Sequence, residues 1–335
     1  MCCLYGILDY KQILTTRQKN HLLRKLSIAC EERGTDATGI AYNKNGRMEI
    51  HKKPLPAHRF RKQIPEDVNV VMGHTRLTTQ GNEKLNYNNH PFLGYCTDTQ
   101  FALAHNGVLQ NELLLQKKFE LPATKIETDS YAAVQIIEKE RTFDLKAIQT
   151  MAEVVEGSFC FTLLDQGDNL YLVKGNNPLK VYHCKSLGFY IYASTEAILQ
   201  TGLKKAGFKK YAYTEIPIVQ GDILILKADG KIIKETFDTR RLEVYEPFWY
   251  GWGRAYNPVC CSTALSPTED KDICYGSYLE SLVEYAANVG VSEEEVLFLY
   301  ENGFEEEEIE YLLYSPDILQ EYIEEMVEQG YVLYI

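Results

Sequence analysis

Short apolar runs separated by turn residues occupy most of the first 235 residues, and they constrain the fold more than any other feature. Four such runs follow one another between Gly157 and Ser194, and two more flank the turn at Ala228-Asp229-Gly230. Stretches with helical periodicity are fewer and are grouped together: Thr16–Glu32, Thr128–Lys139 and Leu145–Val155. Strands and helices that are grouped, without strict alternation, predict an α+β fold built from layered sheets.

A change of charge divides the chain. Residues 1–271 carry 35 Lys and Arg against 30 Asp and Glu, whereas no Lys, Arg or His follows Lys271 and 17 acidic residues lie between Asp272 and Glu328. Apolar positions at helical spacing, such as Val296, Leu299 and Tyr300, accompany the acids, and a disordered acidic tail would lack them. We therefore expect a main domain over residues 2–235, an aromatic irregular linker over 236–271 and an acidic helical tail over 272–335.

Composition excludes several classes of function. The formal charge of −12 disfavours nucleic acid as a partner, and no apolar run is long enough to span a membrane. The N-terminal residues lack the features of a secretory signal. The nine cysteines include no CxxC pair, which favours reduced thiols and disfavours a zinc site. We therefore expect a cytoplasmic protein. No glycine-rich phosphate-binding pattern occurs, so we expect neither a cofactor nor a metal.

Cys2 is the first candidate for chemistry. A Met followed by a residue as small as Cys is normally removed, which would leave Cys2 with a free α-amino group. Such an amine has a pKa of about 8, so it could act as the base that activates its own thiol. Taken alone, the Met-Cys start is more typical of a buried cysteine at the edge of the first strand than of a nucleophile.

Other polar residues follow predicted strands and could meet Cys2 in one pocket. Arg76 comes just after one strand, and Asn106-Gly107 comes just after another, where an amide and a glycine N–H could form an oxyanion hole. Asp129 lies at a predicted helix start, where it could also be a simple cap. An arginine for a carboxylate and an aspartate for an ammonium are what an α-amino acid substrate requires.

Nine motifs together carry a family resemblance. They are an early Met-Cys, RGTDATG, GHTRLTTQG, NNHPF, AHNGVLQN, ETDSYAA, EGSFCFTLL, NPLKVY and YASTEAIL. In this order they resemble the class II glutamine amidotransferases, which are N-terminal nucleophile hydrolases, and among these the glutaminase domains of glucosamine-6-phosphate synthase and glutamine phosphoribosylpyrophosphate amidotransferase. The resemblance covers roughly residues 2–235 and implies a four-layer αββα sandwich of two antiparallel sheets, followed here by the acidic helical extension.

The resemblance also implies roles for individual residues, with L-glutamine as substrate. Cys2 would form a γ-glutamyl thioester, Asn106 and Gly107 would hold the oxyanion, and no metal would take part. The remaining implied positions are Arg76 on the substrate carboxylate, Asp129 on its ammonium, Thr79 in the same pocket, and Arg33, Gln80 and His90 in supporting places. His74 and His105 lie inside apolar strands, so we expect both to be core residues and not ligands, and we expect the Cys3 thiol to be a core residue as well.

Two departures from the family pattern concern the segment that closes over bound glutamine. Leu77 stands where the relatives carry an aromatic residue, and Gln80 stands where the sugar synthase has a histidine. The coupling of this segment to an acceptor site is therefore open. About one hundred residues remain after the resemblance ends, too few for the family's acceptor domains, so ammonia would pass to a separate synthase or the chain would be a free-standing glutaminase.

Two alternatives to glutamine hydrolysis remain at this point, and the role of the tail is also open. The domain could cleave another amide, although Arg76 with Asp129 favours a free amino acid, or it could be a non-catalytic regulatory module, although Cys2, Asn106, Gly107 and Asp129 are all present. The acidic tail could be a solvated cap or a docking element for a basic partner. The oligomeric state is not predicted.

Overall fold

The computed structural model describes residues 2–97, 99–243, 277–301 and 306–314, together with 316, 319, 320, 323 and 324. Most of the expected aromatic linker over 236–271 lies outside these residues. The strands are β1 Cys3–Asp9, β2 Ala37–Lys44, β3 Arg47–Lys53, β4 Val70–Arg76, β5 Phe92–Tyr95, β6 Gln100–Leu109, β7 Gly157–Asp165, β8 Leu170–Lys174, β9 Lys180–Cys184, β10 Phe189–Ala193, β11 Thr214–Ile216, β12 Asp222–Leu226 and β13 Ile232–Thr236.

The helices complete the secondary structure. The α-helices are α1 Thr16–Ala29, α2 Glu112–Lys118, α3 Tyr131–Lys139, α4 Leu145–Val154, α5 Glu196–Lys205, α6 Arg240–Glu243, α7 Ser277–Val289, α8 Glu293–Glu301 and α9 Glu306–Leu313, with short 3-10 turns at Cys30–Glu32 and Asn86–Asn88. No helix in these ranges is both long and apolar enough to cross a membrane. Thr15 and Gln18 form a reciprocal capping box that fixes the start of α1.

The strands form two antiparallel sheets, as expected. The first has the order β11-β9-β10-β1-β4-β2-β3 and the second has the order β13-β12-β8-β7-β6-β5. Strand β1 is buried on both faces because it lies in the centre of the first sheet and between two layers. Successive side chains of a strand point to opposite faces, so Leu4 and Leu8 face the second sheet while Tyr5 and Ile7 face the helices.

Three apolar clusters separate the layers. One lies between α1, α5 and the first sheet, a second lies between the two sheets, and a third lies between the second sheet and helices α3 and α4. The layers therefore stack as αββα, which confirms the expected four-layer sandwich. Phe237 and Leu242 pack in the third cluster, and Arg241 pairs with Glu156 at 2.7 Å, so packing in this unit continues through α6.

Some elements differ from the sequence-based expectation. Asn106 and Gly107 lie inside β6, not after it, because the ladder with β7 runs through both residues and continues to Leu109. Arg76 is likewise the last residue of β4. The expectation also lacked β5, α2 and α5.

The residues after 257 group into a second compact unit. Helix α7 ends at Val289 and is followed by Gly290, which has a φ of +82°. Ser292 and Glu295 cap the start of α8 reciprocally. Val296 and Leu299 are fully buried in this unit's own core, as their spacing predicted, whereas Tyr300 is 38% exposed. The described part of the acidic extension is therefore helical.

Candidate active site

Cys2 stands immediately before β1, and three groups fix its position. Its Sγ lies 3.4 Å from the carbonyl oxygen of Leu77, and Arg33 Nε donates a 3.0 Å hydrogen bond to the carbonyl oxygen of Cys2. Two residues further on, the N–H of Leu4 donates to Ser194 Oγ at 2.9 Å, which anchors the start of the strand. Arg33, which was expected in a supporting place, therefore contacts the backbone of the candidate nucleophile.

The Cys2 thiol is protonated at neutral pH unless a base assists it. Burial raises the pKa of this thiol above its usual range, and the Asp129 carboxylate acts in the same direction. The Leu77 hydrogen bond and the Arg76 guanidinium act in the opposite direction but do not offset the burial. Formation of the thiolate nucleophile consequently needs a proton acceptor beside the sulfur.

Arg76 is 3% exposed, and its side chain turns towards the segment that follows it. Its Nη1 donates to Asn89 Oδ1 at 2.7 Å, and its Nη2 donates to the carbonyl oxygens of Gln80 and, at 3.0 Å, of Gly81. A guanidinium has five N–H donors, so these contacts with described residues leave two for a ligand. Burial lowers the pKa of Arg76, and the nearby carboxylates of Glu83, Asp36 and Asp129 favour its charged form.

Asp129 lies two residues before α3 with its carboxylate held on both oxygens. Its Oδ2 accepts the N–H of Leu109, and its Oδ1 accepts the N–H of Ser130 at 2.7 Å and the Ser130 hydroxyl at 3.0 Å. A carboxylate offers about four acceptor positions, so room for an ammonium remains. The side chain does not cap N2 or N3 of α3 in the usual way, because these bonds go to the next residue and to β6.

Gln80 connects the two charged residues. Its backbone carbonyl accepts from Arg76, its side-chain oxygen accepts the N–H of Asp129 at 3.2 Å, and its amide nitrogen lies 3.3 Å from the Glu112 carboxylate. Thr79, next to it, is exposed, and the structure does not bring its side chain into contact with the other candidates. The 77–81 segment thus links Cys2, Arg76 and Asp129 through Leu77 and Gln80.

Asn106 has an unusual environment. Its side chain is fully buried, yet neither its Oδ1 nor its Nδ2 has a hydrogen-bond partner among the described residues. Its carbonyl oxygen accepts Asn177 Nδ2 at 2.8 Å, which holds the backbone of β6 at this point. An orphaned buried amide costs about 1–3 kcal/mol, and both polar atoms of the Asn106 side chain are therefore available to a ligand.

Gly107 has a φ of +145°, and a Cβ at this position would lie 1.9 Å from the carbonyl oxygen of Ser158. Only glycine adopts this conformation without strain. The Asn106-Gly107 pair was expected just after a strand, whereas it lies within β6, in register with Cys160 and Phe159 of β7. Asn106 shares a face of β6 with Ala102 and Ala104, which pack between the two sheets, so its side chain points towards the first sheet.

Three buried histidines lie behind these residues. His74 Nε2 donates to the carbonyl oxygen of His105 at 2.9 Å, and the rings of His74 and His90 lie 4.3 Å apart. Burial lowers the pKa of His74 to about 3, and it lowers the pKa of His90 and of His105 as well, so all three are neutral. His74 and His105 are core residues, as expected, and His90 packs against Phe92 as well as His74.

Several residues that hold this arrangement were not predicted from the sequence. Asn89 accepts from Arg76, Asn177 fixes the Asn106 backbone, and Ser130 lies between Asp129 and His105 Nδ1, which is 2.8 Å from its hydroxyl. Each lies in a motif that was noted, but each also has a partner outside that motif, namely Arg76 for Asn89, Asn106 for Asn177 and His105 for Ser130. No group of His, Cys, Asp and Glu in the described residues is arranged to hold a metal ion.

Comparison with known proteins gives a consistent assignment. A family model described as a glutamine amidotransferase domain matches residues 74–201. The glutamine–fructose-6-phosphate aminotransferase of Staphylococcus aureus is 31% identical over 245 residues, which cover 70% of this chain and 38% of that protein. The corresponding protein of Bacillus thuringiensis is 31% identical over 192 residues, which cover 54% of this chain and 30% of that protein. The chain therefore spans about a third of the length of these relatives.

Solved structures extend the comparison to the fold. The glutamine phosphoribosylpyrophosphate amidotransferase of B. subtilis superposes with a TM-score of 0.55 at 20% identity, covering 72% of this chain and 50% of that chain. A structure described as the allosteric regulatory enzyme of purine biosynthesis gives a TM-score of 0.56 at 20% identity, covering 71% of this chain and 50% of that chain. At this identity the likeness concerns the two-sheet αββα fold alone.

Proposed function

The chain carries a class II glutamine amidotransferase domain, and from this membership we propose that it hydrolyses the side-chain amide of L-glutamine to glutamate and delivers the ammonia to an acceptor. The observation that supports the proposal most strongly is the fully buried Asn106 carboxamide, both polar atoms of which have no partner among the described residues. Stabilisation of an oxyanion requires a buried N–H donor with no other hydrogen-bond partner, and Asn106 Nδ2 meets this requirement among the described residues.

The nucleophile in this proposal is Cys2, made N-terminal by removal of Met1. The free α-amine takes the thiol proton, and this step matters because burial raises the pKa of the thiol. The thiolate then attacks the amide carbon of glutamine. The carbonyl oxygen becomes an oxyanion, which Asn106 Nδ2 and the N–H of Gly107 stabilise.

Collapse of the tetrahedral adduct breaks the carbon–nitrogen bond. The ammonium of Cys2 returns its proton to the departing nitrogen, ammonia leaves, and a γ-glutamyl thioester remains on the sulfur. A water molecule, deprotonated by the same amine, attacks the thioester carbon and releases glutamate with the thiol restored. No metal or cofactor is needed for this proton balance.

Substrate recognition rests on opposite charges. Two N–H groups of Arg76 that are not used by described residues would bind the α-carboxylate, and Asp129 would bind the α-ammonium. Gln80 contacts both residues, so the 77–81 segment is positioned to sense whether glutamine is bound. Thr79 would line the pocket only after this segment moves inward, because its side chain is exposed here.

The acceptor belongs to a separate partner in this proposal. The curated relatives are named as aminotransferases that act on fructose 6-phosphate, and this chain spans only about a third of their length. We propose that ammonia passes to a distinct synthase and that the acidic helical unit takes part in the association.

Ammonia release from L-glutamine by the purified full chain tests the proposal, with Asn106→Ala as the diagnostic variant. Loss of one oxyanion donor should lower kcat about 10²- to 10³-fold while KM changes little. L-asparagine and simple linear amides serve as comparison substrates. Hydrolysis of these in preference to glutamine would indicate another amidase, and failure of Cys2 to react with any glutamine-mimicking electrophile would indicate a non-catalytic module.

A further inference from the structure

A basic cavity lies away from the candidate active site, between α1 and the segment 60–64. Its volume is about 510 Å³, and Tyr5 and Ile40 of the first sheet contribute to its lining from the core side. Four basic side chains line it, namely Arg17, Arg24, Arg61 and Lys62, and none of the described residues that line it is acidic. This site is independent of the glutaminase chemistry proposed above.

The walls of the cavity are held in place by hydrogen bonds. Asn20 on α1 clamps the backbone of Ile64 from both sides, since its Nδ2 donates to the Ile64 carbonyl oxygen at 3.1 Å and its Oδ1 accepts the Ile64 N–H at 2.8 Å. At the other end of the segment, the His58 N–H donates to Glu31 Oε1 at 2.6 Å. Lys19 ties Val68 to the same helix at 2.6 Å. The segment that carries Arg61 and Lys62 is therefore anchored on both sides.

The cations of the cavity are not neutralised by carboxylates of the described residues. The ion pairs of this region use His58 and Glu31 instead, and Arg17, Arg24, Arg61 and Lys62 form none with a described residue. Like charges around one recess repel one another, and Arg24, which is half-buried, is less screened by water than the exposed Arg17, Arg61 and Lys62. An anion in the cavity would remove this repulsion.

A second cavity of about 670 Å³ adjoins the first and shares Phe60, Arg61 and Lys62 with it. Its further lining includes Lys53 and Arg59, and again no acidic residue among those described. The basic character therefore extends across both sides of the 60–62 segment, and a ligand larger than one phosphate group could extend from one recess to the other.

We propose that the cavity between α1 and the segment 60–64 binds a phosphate-bearing small molecule. Four cations call for an anion of charge −2 or more, which a phosphate ester or a diphosphate has and a single carboxylate lacks. Arginine forks match phosphate oxygens bidentately, and a volume of about 300–1,000 Å³ is typical of small-molecule sites. The recess, floored by Tyr5 and Ile40, suits a compact ligand better than an extended polyanion.

Calorimetric titration of the full chain with inorganic pyrophosphate at constant ionic strength tests this site. The double variant Arg24→Gln/Arg61→Gln should bind pyrophosphate about tenfold or more weakly. The control Lys117→Ala/Lys146→Ala removes two exposed charges from α2 and α4 on the other side of the sandwich and should bind like the wild type. Arg24→Lys, which keeps the charge and loses the fork, should fall between them.

Three results would overturn the assignment. In the first, the wild type does not bind pyrophosphate at millimolar concentration. In the second, the double variant and its control lose affinity for pyrophosphate equally. In the third, the protein associates with phosphatidic acid vesicles but does not bind free pyrophosphate. The last result would place the phosphate on a lipid. Cys2→Ala should bind pyrophosphate normally and yet release no ammonia, so that failure of this site and failure of the proposed glutaminase activity remain distinguishable.

Discussion

His74 Nε2 donates a 2.9 Å hydrogen bond to the carbonyl oxygen of His105, and this bond joins the two sheets directly behind the candidate active site. Its donor precedes Arg76 by two residues on β4, and its acceptor precedes Asn106 by one residue on β6. The bond therefore sets the distance between the strand that carries the candidate carboxylate-binding residue and the strand that carries the candidate oxyanion donor. A carbonyl only accepts, so Nε2 of His74 carries the proton.

The free energy of unfolding should decrease as the pH is lowered, because these histidines are buried and neutral. The pKa of His74 is lowered to about 3, whereas an unfolded histidine has a pKa of about 6.5. Its contribution is complete above about pH 6.5 and is lost as the pH falls towards 3, because only the unfolded chain takes up the proton. Between pH 6.5 and 5 we expect a loss of about 2 kcal/mol for this residue.

Urea unfolding at pH 7 and pH 5 measures this dependence. His74→Gln, which keeps a side-chain N–H donor, should lower the overall stability but flatten its dependence on pH. His21→Gln, at an exposed position on α1, is the matched control and should keep the wild-type slope. A slope in His74→Gln as steep as that of the wild type would show that His74 does not titrate in this range.

Active protein should begin at Cys2. A retained Met1 would turn the amine into an amide and leave the buried thiol, whose pKa is raised, without its base. Intact-mass measurement before and after reaction with a glutamine-mimicking electrophile should show loss of Met1 and one adduct. Cys2→Ala should form no adduct and release no ammonia, while Cys3→Ala, altered only in the core, should keep turnover at reduced stability. Full activity in protein that retains Met1 would disprove the amine mechanism.

Arg76→Lys should weaken glutamine binding strongly, because a point charge replaces a planar fork whose other contacts hold Asn89 and Gly81. Loss of a desolvated contact to the carboxylate costs about 2–5 kcal/mol, which corresponds to a rise in KM of about thirtyfold or more. Asp129→Asn should also raise KM and leave the reactivity of Cys2 towards iodoacetamide nearly unchanged. An unchanged KM in Arg76→Lys would mean that another group binds the carboxylate.

The proximity of three candidate residues could be predicted from the sequence. Cys2, Arg76 and Asp129 lie close enough for the charges of Arg76 and Asp129 to shift the pKa of the Cys2 thiol. The network around them could not be predicted, because Asn89 and Asn177 act through partners on other strands. Asn106-Gly107 has the composition of a turn, yet the ladder with β7 overrides this local preference. Helix α2 escaped prediction because Leu113 and Leu114 are about two-thirds exposed, which obscures its apolar face.

Gly107→Ala should destabilise the main unit severely. The added Cβ would lie 1.9 Å from the Ser158 carbonyl oxygen, and the φ of +145° is strained for any other residue. We expect a loss of more than about 4 kcal/mol, seen as a lower Tm or as insoluble protein. Gly207→Ala is a matched control, because Gly207 also has a positive φ, of +78°, but an added Cβ there meets nothing within 4 Å. It should cost only about 1 kcal/mol, and similar effects of both substitutions would contradict the close packing at Gly107.

The acidic helical unit should be dispensable for glutamine hydrolysis. All candidate site residues lie between Cys2 and Asp129, whereas Leu279, Val296 and Ile309 belong to a separate core. A truncated chain should end after Glu243, not at the expected boundary of residue 235, because Phe237 and Leu242 pack against the second sheet's helices.

We expect this truncated protein to keep the Tm of the main unit and the full chain's kcat/KM for ammonia release. We also expect it to lose association with the synthase that accepts ammonia, and the full chain's association should weaken as ionic strength rises if the 17 acidic residues steer the encounter. A chain ending at residue 235 is the informative comparison, since it removes Phe237 and Leu242 and should be less stable. A protein ending after Glu243 that folds but releases no ammonia would show that the acidic unit completes the active site.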